Sequence, residues 1–288
     1  MIIGLALALA CALATNVAFL LKHRGAVLAP PVRIRHLLRS AADLFRSKWF
    51  ALGLVVAVGA WGLHVGALAL APLSIVQAVL SGGLVFLAVL AERYFGFHLG
   101  RRQWIGLLIT AAGLVVIGLT SGSHAGDPPG YALAALIAVE CTILVLATGL
   151  AAFSGRLGVG AAAEGMLLGV AAGALFGVSD IALKYLTDVV QEGVLELVSP
   201  WLVTALAASV VAFYASAGSL QLGPGVQVIA LTSVAANLTA IMGGILVFRD
   251  PVGAGEVEIA ARMAGFCLVI AGSALMPAPM RATRAPSH

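Results

Sequence analysis

The sequence predicts an all-α membrane protein, a polytopic bundle of about nine transmembrane helices. Of the 288 residues, 61% are hydrophobic and only 10% are charged, whereas soluble domains usually carry about 25% charged residues. The apolar runs are continuous over about 20 residues, the length of a helix that crosses a bilayer. A membrane barrel would instead alternate apolar and polar residues. A soluble enzyme, a disordered chain and a disulfide scaffold are therefore excluded.

Nine apolar segments predict the spans. Their approximate bounds are 2–21, 49–70, 72–92, 103–120, 131–152, 162–187, 199–219, 224–248 and 262–277. The first segment has no basic residue before it, and Lys22 and Arg24 follow it directly. This pattern indicates an uncleaved span rather than a signal peptide.

Basic residues predict the orientation of the bundle. Thirteen of the 16 Lys and Arg residues fall in the connections that the order of spans places on one side. Because Lys and Arg are retained in the cytoplasm, we expect a multi-pass protein of the cell membrane. Its N-terminus would lie outside the cell and its C-terminus in the cytoplasm.

The longest basic connection, 22–48, contains apolar residues at three- and four-residue spacing between Ile34 and Phe45. This spacing is typical of an amphipathic helix on a membrane surface, although a basic loop that only fixes the orientation fits equally. The formal net charge of +4 predicts contact with anionic lipid headgroups. Nucleic acid is not an expected partner, since aromatic residues do not interleave with the basic ones.

Two motifs occur twice, in the same order and with the same internal spacing. They are Gly66-x-Leu68-x-Leu70-x-Pro72 with Gly218-x-Leu220-x-Leu222-x-Pro224, and Gly106 with Ala112-Gly113 matched by Gly265 with Ala271-Gly272. A weaker match, which needs a gap, pairs Asn16 with Asp180. Each copy lies five helices after its partner, so the second copy is inverted in the membrane, as in transporters with a central site.

The repeat divides the chain into three parts. We expect a first repeat of four helices over 1–120, a linking loop with an extra helix over 121–160, and an inverted second repeat with a short tail over 161–288. Within the second repeat, Gly169, Gly173 and Gly177 form a stripe of small residues on one helix face, and such stripes let helices approach closely. The stripe fits an internal partner helix, a second copy in a homodimer, or a moving gate.

The stretch from Ala67 to Leu119 carries three motifs that point to a known superfamily. They are Pro72-Leu73 with Val76-Gln77, Glu92-Arg93, and Gln103-Trp104-Ile105-Gly106 with Ala112-Gly113. In these motifs the chain resembles the drug/metabolite transporter superfamily. Its nine spans look most like the NIPA-like magnesium transporter branch rather than the ten-helix EamA-like exporters. The resemblance implies transport of a small solute or cation, with Mg²⁺ as one candidate, and carries over no ligand residue.

Seven polar side chains within the predicted spans are candidates for a substrate or ion pathway. They are Glu140, Asp180, Asn16, His64, Asn237, Gln77 and Lys184. An ionisable side chain within the bilayer costs about 2.5–3.5 kcal/mol on insertion scales, so each is a functional candidate. Glu140 lies about 14 Å into the fifth span at 1.5 Å per residue, a depth that suits proton coupling or cation binding. The alternative is a protonated carboxyl that donates to a backbone carbonyl.

The other candidates also have structural alternatives. Asp180 and Lys184 are four residues apart and can neutralise each other on one helix face. His64 fits either a polar cavity or a hydrogen-bonded packing role. Asn237 and Gln77 offer neutral oxygens to a cargo or hydrogen bonds between helices.

The sequence favours a secondary transporter without a cofactor. It contains no phosphate-binding or zinc-protease motif, and an enzyme is not expected. If the cargo is Mg²⁺, the oxygens of Glu140 and Asp180 are its candidate ligands. Proton-coupled export of a small metabolite or drug is the alternative. A non-transporting membrane partner or lipid-regulating protein is the rival from another class.

Overall fold

The computed structural model describes residues 2–32, 37–71, 73–120, 133–190, 193, 197–248 and 255–275. Within these ranges the chain is all α-helical and has no strand, which confirms the predicted fold class. The helices are α1 (Ile2–Leu28), α2 (Leu37–Arg46), α3 (Lys48–Leu70), α4 (Leu73–Gly82), α5 (Leu84–Phe95), α6 (Arg101–Leu119), α7 (Leu133–Phe153), α8 (Ala161–Val189), α9 (Pro200–Leu222), α10 (Gly225–Leu246) and α11 (Glu256–Ala274).

The described helices confirm a multi-pass membrane protein. Seven segments in this part of the chain are long and apolar enough to cross a bilayer, with α4 and α5 together forming one of them. Helices α6 and α11, each of 19 residues, lie where spans are predicted at 103–120 and 262–277, but neither is among these seven segments. The count of nine spans stays a prediction. The connection 121–132 and the tail 276–288 lie outside the described residues.

Two predicted boundaries differ from the structure. The first span does not end at residue 21, because α1 continues to Leu28. Gly25 lies directly against the backbone of Phe50 in α3, so this part of the helix packs closely on α3, and the helix ends two residues before Pro30, which cannot donate a helical hydrogen bond. The third span is interrupted at Gly83, where a side chain would collide with Ala12 of α1.

The long basic connection contains the short helix α2, whose residues Ser40 and Leu44 are buried while Leu38 is 88% exposed. Phe45 at its end stacks on Phe213 of α9, with ring centroids 6.5 Å apart. A helix is therefore present where the apolar spacing predicts one.

The two halves of the chain make corresponding contacts. Gly4 of α1 packs on Leu70 at the end of α3, and Gly165 of α8 packs on Leu222 at the end of α9. Both contacts join the first helix of a predicted repeat to the second. If Gly4 and Gly165 are taken as corresponding positions and no gap is allowed, Asn16 corresponds to Gly177 in the second half rather than to Asp180.

The repeated glycine motif of α6 and α11 brings these two helices together. A Cβ atom added at Gly113 would lie 2.7 Å from the carbonyl oxygen of Gly265. One added at Gly272 would lie 2.7 Å from that of Gly106. The first glycine of each copy thus faces the last of the other, and the two helices run antiparallel.

The glycine stripe of α8 faces an internal partner. Gly169 lies near Val228 and Thr232 of α10, and Gly177 lies against Thr239 of the same helix. The small side of α8 therefore lets α8 and α10 pack closely within the bundle.

Candidate functional site

A cavity of about 230 Å³ lies inside the bundle, and helices α1, α3, α4, α8 and α10 line it. Five of the seven polar residues singled out from the sequence contribute to its wall. They are Asn16, His64, Gln77, Asp180 and Asn237. The cavity therefore brings together side chains that are up to 221 positions apart in the sequence.

Asp180 of α8 is the centre of the polar network. Its Oδ1 lies 3.0 Å from His64 Nε2, and its Oδ2 accepts a hydrogen bond of 3.0 Å from Gln77 Nε2. Its side chain keeps 20% exposure to the cavity. Each carboxylate oxygen has two lone pairs, so both oxygens retain acceptor capacity for a bound cargo. The network ties α8 in the second half to α3 and α4 in the first.

Asn16 lines the same cavity and has a buried acceptor that is unpaired within the described ranges. Its Nδ2 donates to the carbonyl oxygens of Ala12, at 2.8 Å, and Gly83, at 2.9 Å. Because both partners are acceptors, they fix which end of the amide is the nitrogen. The buried Oδ1 then has no hydrogen-bond partner among the described residues, and an unmet buried acceptor costs about 1–3 kcal/mol. A cargo or water that donates or coordinates there would recover that cost.

Lys22 is a cavity residue that the sequence analysis missed. The predicted end of the first span at residue 21 placed it in a loop, whereas it lies within α1 and lines the cavity. It packs beside Gly53 of α3, and His64 follows eleven positions later on that helix. At 1.5 Å per residue the two ends of the cavity are about 16 Å apart. The cavity is thus cationic at one end and holds a carboxylate at the other.

Small hydroxyl and thiol groups complete the polar wall. They are Cys11, Thr15, Thr232 and Ser233. Thr15 could have been predicted as a cavity residue from its place next to Asn16 in an otherwise apolar span. The others carry no distinguishing pattern in a sequence rich in small residues.

The remaining two candidates lie away from the cavity lining. Glu140 of α7 is 2% exposed, and neither of its carboxylate oxygens has a hydrogen-bond partner among the described residues. Lys184 does not pair with Asp180 as predicted, because its Nζ lies 2.8 Å from Asp188 Oδ1, one turn further along α8. Lys184 also donates to the carbonyl oxygen of Leu68 at 3.3 Å, so it joins α8 to α3.

Comparisons with known proteins give three informative relatives. A protein of Arabidopsis thaliana named as the probable magnesium transporter NIPA9 is 24% identical, over 98% of this chain and 83% of its own length. An uncharacterized protein of Corynebacterium glutamicum is 30% identical over 82% of this chain and 83% of its own length. The spermidine export protein MdtI of an Enterobacter species is 42% identical over 27% of this chain and 73% of its own length. No family model and no solved structure matches the chain.

Apolar helices around a polar cavity, together with these relatives, define the chain as a multi-pass membrane transporter. The relatives with named functions are transporters and not enzymes, which agrees with the prediction from the sequence. The chain belongs to the drug/metabolite transporter superfamily, and over 98% of its length it is similar to a protein named as a NIPA-type magnesium transporter.

Proposed function

We propose that the chain is a secondary transporter that moves a small cation through the cavity by alternating access, with Asp180 in contact with the cargo. The observation that carries this proposal is the position of Asp180. It is an acidic side chain of the second half that lines the cavity, and His64 and Gln77 of the first half contact it at 3.0 Å. A rearrangement of one half against the other would alter this network directly.

The contacts between the halves support alternating access. The reciprocal glycine contacts of α6 and α11 have the symmetry of a twofold axis between the two helices. Inverted repeats of this kind place a cargo site between the halves and rock around it. We accordingly propose the repeats over 1–120 and 161–288, with 121–160 as the linking part. The N-terminus lies outside and the C-terminus in the cytoplasm, because basic residues favour the cytoplasmic side.

Mg²⁺ that keeps several of its waters is the first candidate cargo. Mg²⁺ prefers oxygen ligands and dehydrates reluctantly, and Asp180 with the free Oδ1 of Asn16 offers such oxygens. The relative named as a probable magnesium transporter supports this choice. In this proposal Asp180 acts without Glu140, which does not line the cavity.

A cationic amine exchanged for a proton is the second candidate. The contact of His64 with Asp180 favours it, because a carboxylate beside an imidazole can take up either a proton or an ammonium group. The partial match to a spermidine exporter points to the same class of cargo.

Flux measurements on the purified chain in liposomes test both candidates. Wild type, Asp180→Asn and the control Asp43→Asn are compared with Mg²⁺-sensitive and pH-sensitive dyes, and with radiolabelled spermidine. Asp43 lies on α2 and pairs with Arg46, away from the cavity. We expect flux of one cargo in wild type and Asp43→Asn that falls sharply in Asp180→Asn. Equal flux in all three proteins would contradict the proposed role of Asp180, and no flux of any cation would contradict cation transport.

A further inference from the structure

A second cavity, of about 470 Å³, lies between α3, α8 and α9. It follows α9 from Leu202 to Leu220, a distance of about 27 Å at 1.5 Å per residue. This volume, spread over such a length, makes the cavity narrow. Its shape suits one extended alkyl chain rather than a compact solute.

The lining of this second cavity is apolar along most of its length. Three serines line it, Ser179, Ser209 and Ser216. Ser179 and Ser209 lie 2.9 Å apart, hydroxyl to hydroxyl, and Ser179 also donates to the carbonyl oxygen of Ala205. The hydroxyls of Ser179 and Ser209 therefore have partners within the protein. Lys22 is the single charged side chain among the described residues that line it.

Lys22 lies at one end of the second cavity, together with Phe50 and Leu220. Gly25, three residues after Lys22, packs on Phe50, and the neighbouring His23 contacts the carbonyl oxygen of Leu220 at 3.1 Å. The Lys22 ammonium lies 4.1 Å from the centroid of the Phe19 ring. No carboxylate in the described ranges forms an ion pair with it.

Lys22 is half-buried, and a partly desolvated cation without an anion is costly, because burial removes water that would otherwise stabilise the charge. A ring face recovers part of this cost, but an anionic ligand would recover more. From the end that holds Lys22, the apolar part of this cavity extends along α9. Charge and shape therefore describe one ligand with an anionic head and an apolar tail.

We propose that this cavity binds a single-chain anionic amphiphile of the fatty-carboxylate class. The carboxylate contacts Lys22, and the alkyl chain extends along α9. This site goes beyond the transport of a cation and does not depend on Asp180. It adjoins the cargo cavity, because Lys22, Ala57, Trp61 and Phe176 line both. A bound amphiphile would therefore form part of the cargo cavity wall.

Equilibrium binding of radiolabelled hexadecanoate to the full chain in a neutral detergent tests the charge at Lys22. We expect saturable binding that weakens about tenfold in Lys22→Met, as for a lost charge-assisted hydrogen bond, and is kept in Lys22→Arg. The control Lys48→Met removes a lysine that lines neither cavity. It should bind as wild type does, and so should Asp180→Asn, which separates this site from the cargo site. Equal binding by Lys22→Met and wild type would overturn the proposal.

Competition and mapping identify the ligand class and the place. Unlabelled hexadecanoate should displace the label, whereas hexadecanol, which lacks the charge, should compete about tenfold less well. A two-chain anionic phospholipid should also compete poorly, because the channel is narrow. Hexadecanoate with a diazirine in mid-chain should label α3 and α9 on illumination. Equal competition by the alcohol, stronger competition by the phospholipid, or adducts confined to other helices would each overturn the assignment.

Discussion

Asp180 and Glu140 are both carboxylates on apolar helices, α8 and α7, yet their surroundings differ. Asp180 accepts hydrogen bonds from two other helices and faces a cavity. Glu140 is more deeply buried, faces no described cavity, and its two oxygens have no partner in the described part of the chain. Burial alone therefore does not mark a site. Asp180 has donors from two other helices and room for a ligand beside it, and the described residues provide neither for Glu140.

The largest expected effect is the loss of transport in Asp180→Asn. The amide keeps the volume of the side chain but removes the charge that would attract a cation and strengthen both hydrogen bonds. We expect flux at limiting cargo to fall at least ~30-fold, the equivalent of about 2 kcal/mol. Initial rates in liposomes, normalised to reconstituted protein, measure it. If Glu140→Gln showed the larger loss, the comparison would be reversed.

A smaller loss is expected in Gln77→Leu. This change removes the donor to Asp180 Oδ2 but leaves the carboxylate and its contact with His64. Because one hydrogen bond to a charged group is lost, the flux should fall about tenfold. Gln103→Leu is the matched control, since Gln103 lies at the start of α6 and does not line the cavity. An unchanged flux in Gln77→Leu would show that the network does not position Asp180.

Glu140 is expected to affect stability rather than transport. Replacing a buried acid that has no partner with an apolar residue of similar size removes a desolvation cost of about 1–3 kcal/mol. Glu140→Leu should therefore raise the melting temperature in detergent and leave the flux within about twofold of wild type, a change below 0.5 kcal/mol. Glu140→Gln should give a similar flux. A collapse of flux in both variants would instead return Glu140 to the transport pathway.

The composition was enough to predict the membrane fold, because apolar runs of span length have few other uses. Five of the seven candidate residues line one cavity, since polar groups in lipid tend to face the bundle interior. The relative importance of Asp180 and Glu140 could not be predicted. Depth along a helix is a property of the sequence, whereas the donors that meet a carboxylate come from helices 103 and 116 positions away.

Two other details depended on packing. Lys22 appeared to lie in a loop because the hydrophobic run ends at residue 21, while contact of Gly25 with Phe50 continues the helix. Lys184 had two acids within reach on its own helix, Asp180 and Asp188, at the same spacing of four. Spacing cannot distinguish them; in the structure Lys184 pairs with Asp188, while Asp180 contacts His64 and Gln77.

The smallest expected effect is that of Lys184→Met, which tests whether the charged groups of α8 act separately. Lys184 pairs with Asp188 at 2.8 Å, and both side chains are partly exposed, so the pair contributes about 0.3–0.5 kcal/mol. Loss of the hydrogen bond to Leu68 adds about 0.5–1.5 kcal/mol, and the melting temperature should fall by a few degrees. The flux should stay within about twofold of wild type, because the partners of Asp180 are unchanged. A loss of flux as large as that of Asp180→Asn would mean that Lys184 neutralises Asp180 during the transport cycle.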